Sequence, residues 1–123
     1  MQTQSNKIDF TGQHIYAGID VHLKSWKVTV MTERLSFKTF SQDPRPELLH
    51  QYLNRTFPNG TYHSAYEAGF CGYWIHNKFT ALGINSIVVN PADIPTTDKE
   101  KVQKADKRDS QKIAKALRNG DLK

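Results

Sequence analysis

Four carboxylates stand where their side chains could act together on a charged substrate. Asp20 ends an apolar run, and Glu67 ends a second run with the alternation of a strand. Asp106 and Asp109 lie three residues apart in a segment with helical periodicity. Because a buried carboxylate is costly unless a cation meets it, four converging acids predict a site for hard divalent cations, which prefer oxygen ligands.

The last predicted helix, about 102–118, places both of its aspartates on the apolar side. At about 100° per residue, the inward stripe centred on Ile113 contains Val102, Asp106, Asp109, Ala116 and Leu117. The alternative is that Asp106 or Asp109 caps the helix and marks its first turn. A cap explains one aspartate better than it explains two.

The positive charge of the chain is concentrated near its C-terminal end. Residues 99–123 contain nine Lys/Arg and four Asp/Glu, whereas residues 1–98 contain eight of each. Such an excess is typical of contact with phosphates, although a solvated helix face would look the same. The candidate nucleic-acid-binding residues are Lys104, Lys107, Arg108, Lys112, Lys115 and Arg118.

Length and composition bound the class of protein. The 123 residues suffice for one domain, and no apolar run approaches the roughly 20 residues of a membrane span. The N-terminus has no signal-peptide pattern, and the single cysteine, Cys71, excludes an internal disulfide. We therefore expect a cytoplasmic protein with no membrane segment and a flexible stretch at residues 1–14.

Apolar periodicity predicts eight elements over the rest of the chain. In chain order they are strands 15–21, 24–32 and 35–40, helix 44–57 (N-cap Asp43, with Pro44 at its first position), strand 61–67, helix 70–82, strand 84–89 and helix 102–118, with a mobile loop at 90–101 before the last helix. This is the order of an α/β, ribonuclease-H-like fold with a mixed five-stranded sheet flanked by helices. That fold makes Asp20 and Glu67 neighbours, and its closing helix could bring up Asp106 and Asp109.

One histidine and three large aromatic residues each allow two interpretations, a structural role or a functional role. His22 either tunes the acid site next to Asp20 or is simply an exposed hairpin residue. Trp26, Tyr73 and Trp74 either stack on nucleic-acid bases or pack in the core, which is the usual role of large aromatic side chains.

Four short segments follow the order of four motifs in a known family: Gly-Ile-Asp-Val-His at 18–22, Tyr-Glu-Ala-Gly-Phe-Cys-Gly-Tyr at 66–73, Val-Val-Asn-Pro at 88–91 and Lys-Ala-Asp-Lys-Arg-Asp-Ser at 104–110. Together they resemble the DEDD-type insertion-sequence transposases, insertion-sequence family 110. The resemblance covers about residues 15–119. Ala105 and the pair Phe70-Cys71 depart from the usual motif residues, but neither departure removes an acid.

The resemblance implies a RuvC-like domain at residues 15–123. Asp20, Glu67, Asp106 and Asp109 would be its catalytic, metal-binding tetrad, holding Mg²⁺ or Mn²⁺, with two ions expected. It also implies DNA strand cleavage and exchange, with a structured guide RNA and a homo-oligomer in the full-length protein. A serine-bearing C-terminal domain is expected beyond Lys123, so the chain alone should be nearly inactive.

Two other functions fit the same residues. The first is a non-catalytic nucleic-acid-binding or dimerisation module that keeps the acids as scaffold. The second is a nuclease resembling a Holliday-junction resolvase, which could use the same acids on the same fold. Binding of a divalent ion separates the enzyme from the module, and the sequence beyond Lys123 separates transposase from resolvase.

Overall fold

The structure, a computed structural model, describes residues 9–67, 73–89 and 109–122. Within these ranges five strands form one sheet: β1 (His14–Val21), β2 (Trp26–Thr32), β3 (Ser36–Gln42), β4 (Thr61–Glu67) and β5 (Asn85–Val89). The helices of these ranges are α1 (Pro46–Thr56), α2 (Trp74–Ala81) and α3 (Ser110–Asn119). The predicted α/β class and mixed five-stranded sheet are therefore confirmed. None of the described helices is long and apolar enough to cross a membrane.

The strand order is β3-β2-β1-β4-β5. Strand β1 is antiparallel to β2 and parallel to β4, and β4 is parallel to β5. The apolar run of β1 explains its central place, because a strand covered on both faces needs apolar side chains on both. The prediction that the first and fourth strands are neighbours is confirmed.

Helices cover both faces of the sheet. Helices α1 and α2 pack on one face through Leu49, Leu53, Ile75 and Phe79, against a core that includes Ile15, Ile19, Val28 and Tyr66. Helix α3 packs on the other face, where its apolar side chains meet β4 and β5 in a second cluster: Ala65, Val89, Ile113, Ala116, Leu117 and Leu122. The predicted inward positions of Ile113, Ala116 and Leu117 are therefore confirmed.

Helix α1 begins two residues later than predicted. Pro46, not Pro44, stands in its first turn, and the N-cap is Arg45, which makes no side-chain cap hydrogen bond. Arg45 is extended (φ −135°, ψ 119°) because a residue that precedes proline avoids the helical region. The prediction of Asp43 as the N-cap was wrong. Both Pro44 and Pro46 can occupy the first turn of a helix, and the helix begins at Pro46.

The segment predicted to be loose is anchored from residue 9 onwards. The Phe10 ring packs edge-on against Phe57, with centroids 5.0 Å apart, and Phe10 N donates a hydrogen bond to Pro58 O. Residues 9–13 are therefore tied to the core, which corrects that part of the predicted flexible stretch. Residues 1–8, residues 70–72 of the second predicted helix, the predicted loop 90–101 and residues 102–108 of the last predicted helix lie outside the described residues.

A pair of histidines joins the starts of β1 and β4. His14 Nδ1 and His63 Nε2 lie 2.8 Å apart, and the Tyr16 ring stacks on that of His63 at a centroid distance of 5.2 Å. Burial, and to a lesser extent the charge of His14, lower the pKa of His63 below its usual 6.5. The folded state therefore binds a proton at His63 less readily than the unfolded chain does.

This histidine pair should make the domain less stable as the pH falls. Because the unfolded state binds more protons below pH 6.5, the free energy of unfolding should decrease from pH 7.5 to 5.5 and level off below the folded pKa. Urea unfolding of the parent and of His63→Gln measures the effect, and the variant should show a flatter profile. His50→Gln, a change on helix α1, should keep the parent's slope. Equal slopes in all three proteins would contradict the assignment to His63.

Candidate functional site

Asp20 and Glu67 lie side by side at the carboxyl end of the two central parallel strands. The parallel register pairs Ala17 with Ser64 and continues to Ile19 with Tyr66, so Asp20 and Glu67 are the next residues on the two strands. Neighbouring strands lie about 4.8 Å apart, and residues in register point to the same face. Both acids therefore lie on the face that α3 covers.

Both carboxylates are largely removed from solvent. The side chain of Asp20 is 16% exposed and Glu67 is 5% exposed; Asp20 Oδ1 and Glu67 Oε1 are buried. Buried, adjacent acids are costly without positive charge nearby. Their oxygens are of the kind that Mg²⁺ and Mn²⁺ prefer.

Positive or potentially positive groups flank Asp20. His22 Nε2 lies 3.2 Å from Asp20 Oδ2, and Lys27 on β2 pairs in register with Asp20. His22 and Lys27 are both exposed. His22 therefore fits both interpretations of its sequence position, because it is an exposed hairpin residue that also contacts the acid site.

Gly18 lets helix α3 approach the backbone of β1. A Cβ atom at this position would overlap Ala114 N and would lie 2.5 Å from Ser110 O. Such contacts are not tolerated by a real side chain, so only glycine allows α3 to sit this close. A glycine inside a strand often marks this kind of close backbone approach.

Buried hydroxyls fix the first turn of α3 to the sheet. Thr29 Oγ1 lies 2.8 Å from Ser110 Oγ and 2.8 Å from Thr39 Oγ1. Thr29 and Ser110 are buried, so this chain of hydroxyls replaces the water that each group would lose on folding. It holds the start of α3 over β2, next to the strand that carries Asp20.

Helix α3 runs antiparallel to β1, which places its N-terminus toward the two acids. Its first residue, Ser110, lies by Gly18 and Thr29, while Leu117 lies in the cluster that packs against Tyr16. Burial raises the pKa of Tyr16, and Arg118 in the last turn opposes that increase. The positive end of the helix dipole therefore points to the end of the sheet where the carboxylates lie.

The position of Asp109 differs from the predicted inward stripe. Asp109 is exposed and is the N-cap of α3, where its Oδ1 accepts a hydrogen bond from Lys112 N at 2.9 Å. The prediction of an inward-facing Asp109 was wrong because the helix starts at Ser110, so the 100° periodicity does not extend back through an extended residue. Asp109 therefore caps α3, a position that one of the two sequence interpretations expected.

Removing this cap should weaken the domain measurably. Asp109→Ala is expected to lower the free energy of unfolding by about 1 kcal/mol, because the amide of Lys112 loses its acceptor. Asp109→Asn, which removes the charge but keeps an acceptor oxygen, should cost only a few tenths of that. Urea unfolding of both variants decides the point, and equal losses would mean that the charge, not the cap, stabilises the helix.

The structure thus brings together two of the four predicted ligands, Asp20 and Glu67, and places Asp109 at the start of the helix that points toward them. Asp106 lies outside the described residues. Among the described residues, no three His, Cys, Asp or Glu side chains are close enough to hold a metal ion.

The predicted basic surface is described in part. On α3, Lys112 and Lys115 are exposed and Arg118 is half-buried, as expected for its outer face. The other three candidates, Lys104, Lys107 and Arg108, lie outside the described residues. The sequence did not predict the contact between Thr29 and Ser110. The available signal for close packing of α3 on the sheet was Gly18, a glycine in the middle of an apolar strand.

The fold and site together define an α/β domain with an acidic pair at the carboxyl end of its central strands. No protein-family model matches the chain. A Sinorhizobium fredii protein named as the transposase y4rJ is 30% identical over 117 residues, which cover 84% of this chain and 29% of that protein. The transposase for insertion sequence element IS1533 of Leptospira borgpetersenii is 28% identical over 108 residues, 85% of this chain and 31% of that protein.

The chain spans less than a third of the length of these two relatives. Both carry the name transposase, so the predicted similarity to transposases of insertion elements is confirmed at that level.

Proposed function

We propose that this chain is the domain of a transposase that cuts and exchanges DNA strands with the help of divalent metal ions. The observation that carries the proposal is the adjacency of Asp20 and Glu67 at the carboxyl end of two central parallel strands. The similarity to two transposases supports the substrate class, DNA. The strand order β3-β2-β1-β4-β5 is compatible with a ribonuclease-H-like, RuvC-like fold, and we propose that fold and the DEDD type, insertion-sequence family 110.

The residues present fit a magnesium or manganese site in their chemistry. Asp20 and Glu67 would hold the ions through buried carboxylate oxygens, and we propose Asp106 and Asp109 as the remaining ligands of a two-ion site. Bound ions of this kind supply an activated water or hydroxyl and stabilise the leaving oxygen of a phosphodiester.

The chain's own residues would prepare this site. The two strands fix the carboxylates side by side, while Gly18 and the hydroxyl pair of Thr29 and Ser110 hold the start of α3 toward them. Lys112 and Lys115 on the exposed face of α3 would contact phosphates. For the full-length protein, a structured guide RNA and a homo-oligomer are part of the proposal, motivated by the sequence resemblance.

Nicking of supercoiled DNA tests the proposed function. The complete gene product that contains this chain should nick DNA with Mg²⁺ or Mn²⁺ and should not do so with EDTA or with Ca²⁺ alone. DNA binding without nicking under all conditions would favour the non-catalytic module. Cleavage confined to four-way junctions would favour the resolvase, so a junction and a linear duplex belong in the same experiment.

A further inference from the structure

Two large aromatic side chains at the start of α2 are exposed to solvent. Tyr73 is 62% exposed and Trp74 is 46% exposed, whereas Trp26 is 1% exposed. The ordinary core role therefore holds for Trp26 and not for the other two. The two rings are adjacent in the chain, and contiguous exposed apolar surface, unlike a single exposed side chain, often marks a binding site.

The exposed tryptophan is held against a fixed neighbour. The ring centroids of Trp74 and Trp26 lie 6.4 Å apart, and the two ring planes make an angle of 43°. Trp26 is buried and pairs in register with Val21, the residue after Asp20. Trp74 is therefore held in place at the same end of the sheet as the acid pair, and little conformational freedom would be lost when a ligand stacks on it.

The neighbouring tyrosine is tied to the same end of the sheet through β4. The Tyr73 ring stands edge-on to His76, 6.1 Å away, and His76 N donates a hydrogen bond to Tyr66 OH at 3.2 Å. Tyr66 immediately precedes Glu67. The two rings and the two acids thus lie at the same end of the sheet. The rings are on the face that α2 covers, and the acids are on the face that α3 covers.

Positive charge lies at the same end of the sheet as these rings. The hairpin that joins β1 to β2 is closed by a hydrogen bond from His22 N to Ser25 O, and Lys24 in this hairpin and Lys27 after it are exposed. Lys27 pairs in register with Asp20 and so lies on the acid face of the sheet, whereas Lys24 lies in the hairpin at the sheet end. Aromatic faces with neighbouring cations are the combination that binds single-stranded nucleic acid, since bases stack and phosphates pair with lysine.

We propose that Tyr73 and Trp74 form a stacking platform for unpaired bases, with Lys24 and Lys27 contacting the phosphates of the same strand. The strand would cross the end of the sheet, reaching the acids on one face and the rings on the other. This inference rests on the proposed function, because it names the form of nucleic acid that the acid pair would meet: an unpaired or distorted strand instead of an intact duplex.

The two tryptophans of this chain make the platform directly measurable. Tryptophan fluorescence of the 123-residue chain, titrated with an oligothymidylate, should be quenched because Trp74 stacks while Trp26 stays shielded. Trp74→Ala and Tyr73→Ala should each weaken binding of the oligothymidylate by about 5- to 150-fold, the range for loss of one stacked base. Binding of a blunt duplex should change less than twofold in both variants.

Leu35→Ala is the matched control, since Leu35 is an exposed apolar residue in the hairpin at the other end of β2. It should leave both affinities unchanged. Thermal melts check that Trp74→Ala remains folded, and Tyr73→Ala repeats the test without touching the ring of Trp26.

The outcomes separate the platform from the proposed function. Binding without quenching, and with both variants within twofold of the parent, would overturn the platform and leave nucleic-acid binding in place. If tryptophan fluorescence is quenched by raising the protein concentration in the absence of nucleic acid, the rings contact a second copy of the chain and the platform is wrong. No binding of the parent to any single strand or duplex at low salt would overturn the platform together with the DNA-binding part of the proposed function.

Discussion

Gly18→Ala should destabilise the domain by about 3 kcal/mol, at the upper end of the usual cost of overpacking. The new Cβ would overlap backbone atoms of Ala114 and Ser110, which cannot rotate away as a side chain can, so α3 must move off the sheet. The melting temperature should fall by about 6–20 °C. Urea unfolding and thermal melts measure both quantities.

Gly120→Ala separates this clash from the ordinary cost of replacing a glycine. Gly120 ends α3 with φ 77° and has open space around its Cβ position, so alanine there should cost only about 1 kcal/mol from backbone strain. If Gly18→Ala melts no lower than Gly120→Ala, helix α3 does not pack on β1 as closely as described.

Asp20→Asn or Glu67→Gln should reduce DNA cleavage by the complete gene product by about a thousandfold while leaving it folded. Each change removes one anionic oxygen ligand, and metal stabilisation of the transition state contributes several kcal/mol, with about 1.4 kcal/mol for each factor of ten in rate. Initial rates of plasmid nicking at saturating Mg²⁺ measure the loss. Melting temperatures should not fall, since each variant is isosteric and removes one buried charge of a like-charged pair.

Glu33→Gln provides the matched control for these two variants. Glu33 is an exposed acid in the hairpin at the opposite end of the sheet, so it changes the net charge equally without touching the site. Its nicking rate should equal that of the parent. If Asp20→Asn and Glu67→Gln also keep the parent's rate, the two acids are structural and the proposed catalysis is wrong.

The strands of this domain could be predicted because each one carries its burial pattern in its own residues. Strand β4 has the predicted bounds, Thr61–Glu67, and β1 differs by one residue at its start. Alternation of apolar side chains is a local signal with a period of two. The apolar character of β1 predicted a central strand, whereas the ribonuclease-H-like order of the elements predicted that β1 and β4 are neighbours and that Asp20 and Glu67 are adjacent.

The features that could not be predicted depend on contacts between distant residues or on the start of a helix. Ser110 and Thr29 lie 81 residues apart, and no local pattern links them. Phe10 follows a polar terminus, and the ring of Phe57 on which it packs lies 47 residues further along the chain. Asp109 was predicted to face inward because the 100° periodicity does not show which residue is the first of the helix. Aspartate is also common at N-caps, which is where Asp109 lies.

The two faces of the sheet are completed at different times during synthesis. Residues up to Val89 contain the five strands and the helices α1 and α2 of the described residues, so one core can form as soon as these residues leave the ribosome. The other face, with Tyr16, Ala65 and Ile87, waits for residues 110–122. A nascent chain therefore exposes an apolar sheet surface that favours aggregation, and the end of the sheet that carries Asp20 and Glu67 acquires helix α3 only after the sheet is complete.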